Sequence, residues 1–150
     1  MHQPPGIRRP APDIRELATA DVLRTAWPVV QQLRPHLDAA AFVEQSLRQA
    51  RAGYRMTALY VDGAPRAFAG WRVLEMLHTG RQLYVDDLVT DAACRSAGHG
   101  KQLLDWLKDE ARRLGCARLQ LDSGTQRKDA HAFYQREGLR IEAFHFGIAL

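Results

Sequence analysis

Three short stretches carry residues able to do chemistry. The first is Arg95-Ser96-Ala97-Gly98-His99-Gly100-Lys101. It lies between an apolar, β-like run (Leu83, Val85, Leu88, Val89) and residues at helical spacing (Leu103, Leu104, Leu107, Ala111, Leu114). A strand that hands a glycine-rich turn to a helix N-terminus builds an anion site. Free N–H groups converge there, the helix dipole adds positive potential, and glycines let a phosphate approach the main chain. Two familiar phosphate motifs fail the spacing. A P-loop needs glycine where Arg95 stands and Ser or Thr where Gln102 stands, and a dinucleotide turn needs glycine where Leu103 stands. The second stretch is the adjacent pair Asp86-Asp87, and the third is Phe133-Tyr134 with Arg127 upstream. Taken alone, Phe133-Tyr134 reads as a core aromatic pair, and Asp86-Asp87 as solvated or ion-paired side chains.

These stretches need a scaffold, and the pattern around them supplies one. A short strand is expected over 13–17, then a helix over 20–33 capped by Thr19 or Asp21, with Pro28 kinking or restarting it. Asp38 caps a second helix ending near Gly53, with Ala41, Phe42, Leu47 and Ala50 as its buried side. Alternation predicts strands over 54–60 and 66–77, joined by an Asp62-Gly63 hairpin. The organising strand follows the turn at Thr79-Gly80, and its helix ends at Gly115. A strand over 118–122, a short helix over 128–137 and a last strand or two over 141–150 complete the chain. Residues 1–12 carry four prolines and read as a disordered or extended lead-in to a single domain over 13–150.

Arg95 to Gly100 resembles the Arg/Gln-x-x-Gly-x-Gly/Ala signature of the GNAT superfamily of acetyl-CoA-dependent N-acetyltransferases. The segment Ala130-His131-Ala132-Phe133-Tyr134 to Gly138-Leu139 is similar to that family's closing helix, and the order β-α-α-β-β-β-α-β-α-β matches its fold. The resemblance implies an α/β (α+β) domain, a mixed and mostly antiparallel sheet flanked by helices. It implies acetyl-CoA as cosubstrate, with Arg95, Ser96, Ala97, Gly98, His99, Gly100 and Lys101 at its pyrophosphate. The backbone of Leu88, Val89 and Thr90 would lie along its pantetheine arm, and one N–H there could polarise the thioester carbonyl. Tyr134 occupies the place of the tyrosine that protonates the leaving thiolate. Asp87 stands where the family often has Glu, which makes it the expected acceptor of the amine proton, with Asp86 or a water chain as alternatives. Because successive strand side chains alternate, only one of the two aspartates is expected to face the acyl centre. Arg127 replaces the cofactor-contacting Asn common in the family and fits an Arg-x-x-Ala-His-x-Phe-Tyr variant. That variant is seen in aminoalkylphosphonate acetyltransferases, and the closing segment also resembles the histone/polyamine branch.

The expected reaction is direct transfer of an acetyl group to a primary amine of a small molecule or peptide. Acceptor contacts should come from the first two helices, especially 33–37, and from the ends of strand 66–77. A non-catalytic acyl-CoA sensor on the same fold is the alternative. Composition is that of a globular protein, with 46% hydrophobic and 25% charged residues. The net charge of +4 is scattered, without the clustered basic stripe of a nucleic-acid binder. No apolar run approaches a membrane helix or a signal peptide. Cys94 and Cys116 read as free thiols of a cytoplasmic protein, and the histidines lack metal-ligand spacing. Ser96 and Ser123 lack the context of a nucleophile elbow. No metal, membrane or nucleic acid is expected; a homodimer is allowed.

Overall fold

The computed structural model describes residues 12–150. The lead-in expected over 1–12 therefore lies, except for its last residue, outside the described residues. The elements are β1 (Asp13–Glu16), α1 (Ala20–Leu33), α2 (Ala39–Ala50), β2 (Arg55–Val61), β3 (Ala64–Met76), β4 (Gly80–Thr90), a 3-10 turn η1 (Ala92–Ala97), α3 (His99–Arg113), β5 (Arg118–Leu121) and α4 (Lys128–Arg136). The five strands form one sheet in the order β1-β2-β3-β4-β5. Neighbours are antiparallel except β4 and β5, which are parallel. Parallel strands need a crossover, and α3 provides it.

Local chemistry accounts for most boundaries. Asp38 Oδ1 accepts the Ala41 N–H at 2.7 Å, and Thr19 Oγ1 accepts that of Val22 at 3.4 Å. Asp62 and Gly63 take φ of 51° and 77°, the left-handed pair that a two-residue hairpin requires. At the end of α3, the Cys116 N–H reaches Ala111 O at 2.8 Å and the Gly115 N–H reaches Arg112 O at 3.1 Å, closing the helix as a Schellman motif.

The sheet separates two apolar layers. One holds Leu23, Val29, Val30, Phe42 and Phe68 under α1 and α2. The other holds Trp71, Leu83, Val85, Leu103, Leu104, Leu107 and Tyr134 under α3 and α4. Trp27 stacks on Phe42 at 5.5 Å, and Trp106 meets Trp71 edge-on at 6.1 Å, so both extend these cores.

Three expectations need correction. Helix α1 runs through Pro28 without restarting; the proline removes one backbone donor, and packing of Ala26, Val29 and Val30 outweighs that loss. The buried side of α2 is Phe42, Val43 and Ser46, while Leu47 is half-buried and Ala50 is exposed. The stripe is set by the first core layer, which takes Val43 and Ser46 in place of Ala41 and Ala50. Finally, residues 141–150 form no strand and lie exposed. Their alternation is genuine, but among the described residues they form no ladder with β5, the strand at that end of the sheet.

Candidate active site

Strands β4 and β5 pair only from Gln82↔Arg118 to Val85↔Leu121, and β4 then continues alone on that side to Thr90. The result is a wedge. On the other side, Leu88, Val89 and Thr90 stay paired with Ala69, Phe68 and Ala67 of β3. In an antiparallel ladder every second residue turns its N–H and C=O away from its partner, here into the wedge. The wedge opens into a cleft of about 470 Å3 lined by Val85, Leu88 and Val89 on one side and by Leu121, Asp122, Gly124 and Gln126 on the other. Arg95, Arg127, Tyr134 and the end of α1 (Gln32, Leu33, Arg34) complete its walls.

Arg95 of η1 lines the cleft, and the N-terminus of α3 follows it in the chain. Its cap, Gly98, has φ of 81° and provides no side-chain hydrogen bond, so the first-turn amides lack an internal acceptor. The first internal bond of the helix runs from the Gln102 N–H to Gly98 O at 3.0 Å. Gly100 does a different job. A Cβ there would meet Thr90 Oγ1 at 2.9 Å and Phe133 Cζ at 3.5 Å, so the glycine lets α3 close on β4 and α4. Arg95 faces the cleft, and Ser96, Ala97 and Gly98 are exposed beside it. Lys101 turns away to Asp105 at 2.9 Å and Glu137 at 3.4 Å. Among the described residues His99 Nδ1 is buried without a partner, and burial together with the Arg66 charge pushes its pKa down.

Tyr134 lines the cleft. Helix α4 ends immediately beyond it, and the Leu139 N–H bonds Tyr134 O at 2.9 Å. The ring packs in the second core layer beside Phe133, with centroids 5.5 Å apart. The residue is 9% exposed and lines the cleft, and among the described residues its hydroxyl has no hydrogen-bond partner. Burial pushes its pKa above the usual 10.0, opposed by the charge of Arg127. The phenol is thus held neutral, as a proton donor must be. Arg127 caps α4 without a side-chain bond.

The carboxylates depart from the alternation expected of them. A bulge between Gly70 and Trp71 sets Gly70 against Asp87 and Trp71 against Val85, so Asp86 is the extra residue. Leu83, Val85 and Leu88 consequently share the second core layer while Val89 joins the first. Asp86 and Asp87 both fall on the α1–α2 side. Arg34 joins them, bonding Asp87 Oδ1 through Nη2 at 2.7 Å and Nε at 2.9 Å, and Asp86 O at 3.4 Å. Asp86 forks with Arg72 at 2.5 and 3.0 Å. The second oxygen of Asp87 accepts the hydroxyl of Tyr54. Burial and the Asp87 charge drive the Tyr54 pKa upward, so it too stays neutral. Tyr54 reaches Asp87 because position 70 has no side chain; a Cβ there would lie 1.6 Å from its oxygen.

Asp87, Arg34 and Tyr54 border a second cavity of about 290 Å3 that includes His36, Leu37, Gln45 and Gln49; of the three only Arg34 also lines the cleft, where the carboxylate is Asp86. Arg34, His36 and Leu37 fall where acceptor contacts were expected, over 33–37. The ends of β3 do not line this cavity; Phe68 in its middle does. Sequence reasoning missed Tyr54, Arg34 and Arg72. A glycine inside a strand, Gly70, was the available signal of a close approach.

A sheet that splays beside an uncapped helix N-terminus, with a neutral phenol and paired carboxylates at the splay, defines an acyl-transfer enzyme. The chain belongs to the acetyltransferase (GNAT) family, whose model matches residues 17–139, and it is by class an N-acetyltransferase. It is 37% identical over 135 residues to the uncharacterized N-acetyltransferase YhdJ of Bacillus subtilis (strain 168), covering 89% of this chain and 95% of that protein. It is 39% identical over 66 residues to the aminoalkylphosphonate N-acetyltransferase of Salmonella typhimurium (strain LT2), a match spanning 44% of this chain and 43% of that one. An aminoglycoside N-acetyltransferase solved with CoA shares the fold, with a TM-score of 0.78 over 93% of this chain and 95% of the other, at 18% identity.

Proposed function

We propose that this enzyme moves the acetyl group of acetyl-CoA directly to a primary amine of a small molecule or peptide, with both substrates bound together. One observation carries the reading: the unpaired edge of Leu88, Val89 and Thr90 lies between an uncapped helix N-terminus and a neutral, unpartnered tyrosine hydroxyl. The residues present fit the cosubstrate. The free amides at His99, Gly100 and Lys101 suit a pyrophosphate, with Gly98 exposed beside them and the Arg95 guanidinium adding charge. The open edge of β4 suits the amides of a pantetheine arm, and its N–H groups suit an acyl oxygen. Arg127 is a second cation on the cleft wall.

On this reading Asp87 serves the amine. Arg34 already occupies one of its oxygens as a cation would, and its side chain is 41% exposed, free to swing outward. A substrate ammonium takes that place, held by the carboxylate and packed against the second cavity. Asp87 accepts a proton from the nitrogen, whose lone pair then forms the bond to the acyl carbon as the carbon–sulfur bond breaks. Tyr134 gives its proton to the departing sulfur and regains one from solvent in the cleft. Two free cysteines suit the reducing cytoplasm as the place of work.

The test is a panel of primary amines with acetyl-CoA, including aminoalkylphosphonates, polyamines, amino sugars and peptide N-termini, followed by thiol release and product mass. At least one amine should turn over. Calorimetric binding of acetyl-CoA with no turnover on any amine would overturn catalysis in favour of a sensor.

A further inference from the structure

Tyr54 stands just before β2 and is buried, and its hydroxyl donates to Oδ2 of Asp87. It gets there through a gap in the neighbouring strand. Gly70 of β3 faces Asp87 in the ladder, and a Cβ at position 70 would lie 2.4 Å from the ring carbon that carries the hydroxyl. A glycine inside a strand costs about 0.5–1 kcal/mol relative to alanine, and here its missing side chain is the space the phenol fills. Arg72, which forks with Asp86, lies over the same ring, 5.2 Å from its centroid. The two oxygens of Asp87 therefore have unlike partners. Oδ1 is held by Arg34, whose side chain is 41% exposed and also lines the cleft. Oδ2 is held by a tyrosine enclosed in the fold. The last torsion of an aspartate is broad and roughly two-fold. Once Arg34 gives up Oδ1 to an incoming ammonium, Tyr54 is the one side chain, among the described residues, still bonded to the carboxylate.

We propose that Tyr54 is the positioning residue of the amine-proton acceptor: its hydroxyl pins Oδ2 of Asp87 and leaves Oδ1 as the oxygen that takes the proton. This role rests on the reading that Asp87 serves the amine. In that step an N–H bond of the bound ammonium breaks and an O–H bond forms at Oδ1. The electron pair stays on nitrogen and goes on to attack the acyl carbon. The Tyr54 O–H bond stays intact throughout, and Oδ2 ends as the carbonyl oxygen of the acid, still accepting from it. Tyr54 thus acts through Asp87, on the rate of the bound complex, and not on the cosubstrate.

Steady-state kinetics with acetyl-CoA and the fastest amine of the panel above test this, on Tyr54→Phe, Asp87→Asn and the double variant. Tyr54→Phe keeps the ring in its gap, and urea unfolding checks that the fold is kept. Its kcat should fall about 10–100-fold, the weight of one hydrogen bond to a charged group, while KM for acetyl-CoA stays within about twofold. In the Asp87→Asn background the same change should cost less than about twofold, because the carboxylate it holds is already gone. A packing role would lower kcat by the same factor in both backgrounds. That result, a loss confined to KM for acetyl-CoA, or a Tyr54→Phe kcat within about twofold of wild type would overturn the proposal and leave Asp87 as the acceptor. An Asp87→Asn rate near that of the wild type would instead remove the reading beneath it, and the role of Tyr54 with it.

Discussion

The turn that leads into α3 and the carboxylate cluster are built by opposite means. The end proposed to bind the cosubstrate's anion is a continuous piece of chain, β4 through η1 into α3, where backbone groups would do the work. The carboxylate end is assembled from distant pieces: Asp86 and Asp87 from β4, Arg34 from the end of α1, Tyr54 from the start of β2 and Arg72 from β3. An end made of backbone tolerates changes of side chain and fails when its glycines are filled. An end made of paired side chains fails one residue at a time, because each removal leaves a buried partner unsatisfied.

The largest effect should come from the carboxylate end. With Asp87 holding and deprotonating the amine as proposed, Asp87→Asn should lower the acetylation rate at neutral pH by about 10²–10⁴. Acetyl-CoA affinity, measured by calorimetry, should hold. A rate within twofold of wild type would shift proton acceptance to a water chain and reduce Asp87 to an anchor for Arg34 and Tyr54.

Tyr134 lies between the two ends and should show the next largest effect. Tyr134→Phe keeps the ring in its core and removes only the unpartnered hydroxyl, so turnover should drop by roughly 10–10³ with binding unchanged. The active form is the protonated phenol, and burial raises its pKa above 10.0. The wild-type rate should therefore decline only above that pH, and the variant should lack this alkaline limb. Equal turnover in stopped-flow thiol release would make Tyr134 a packing residue.

The anion end should respond more mildly to the loss of a side chain. Arg95→Ala removes one charge-assisted contact of about 1.5–3 kcal/mol and leaves the amides in place, so the dissociation constant for acetyl-CoA should rise about 10–100-fold. Catalysis at saturating cosubstrate should be nearly untouched. Gly100 is the less clean probe, because any side chain there also strikes Thr90. Unchanged affinity in the Arg95 variant would leave pyrophosphate binding to the backbone alone.

The same contrast explains what could be read from the chain. The strand–turn–helix proposed for the anion was legible because its signals are local: an apolar strand, a glycine-rich turn and leucines at helical spacing. Asp38, Thr19 and Asp62-Gly63 were legible for the same reason. The carboxylate end was half legible. Asp87 was visible as a residue, but its orientation depends on a bulge that period-two reasoning excludes. Tyr54 and Arg34 gain their roles only through contacts across dozens of residues. The last segment shows a third case, in which a clear strand pattern forms no strand.

Asp91 links the two ends, and its loss should have the smallest effect. It follows β4 and accepts the Ala93 N–H at 3.2 Å, Gln32 Nε2 at 3.2 Å and Arg66 Nη1 at 3.1 Å, while Gln32 Oε1 accepts the Ala92 N–H. The start of η1 is thereby fastened to the end of α1. Hydrogen bonds from Gln32 first, then Ala93 and Arg66, hold its carboxyl below the ordinary 3.8. A depressed folded-state pKa contributes stability above the unfolded value and loses it as pH falls through the folded one. Asp91→Asn keeps the shape and part of the bonding, so it should cost about 1 kcal/mol at pH 7. That difference should shrink toward zero as pH falls through the lowered folded-state pKa, where the wild-type carboxyl is also protonated. Urea unfolding of both proteins at several pH values measures it. A penalty independent of pH would mean that geometry rather than charge fastens the two ends together.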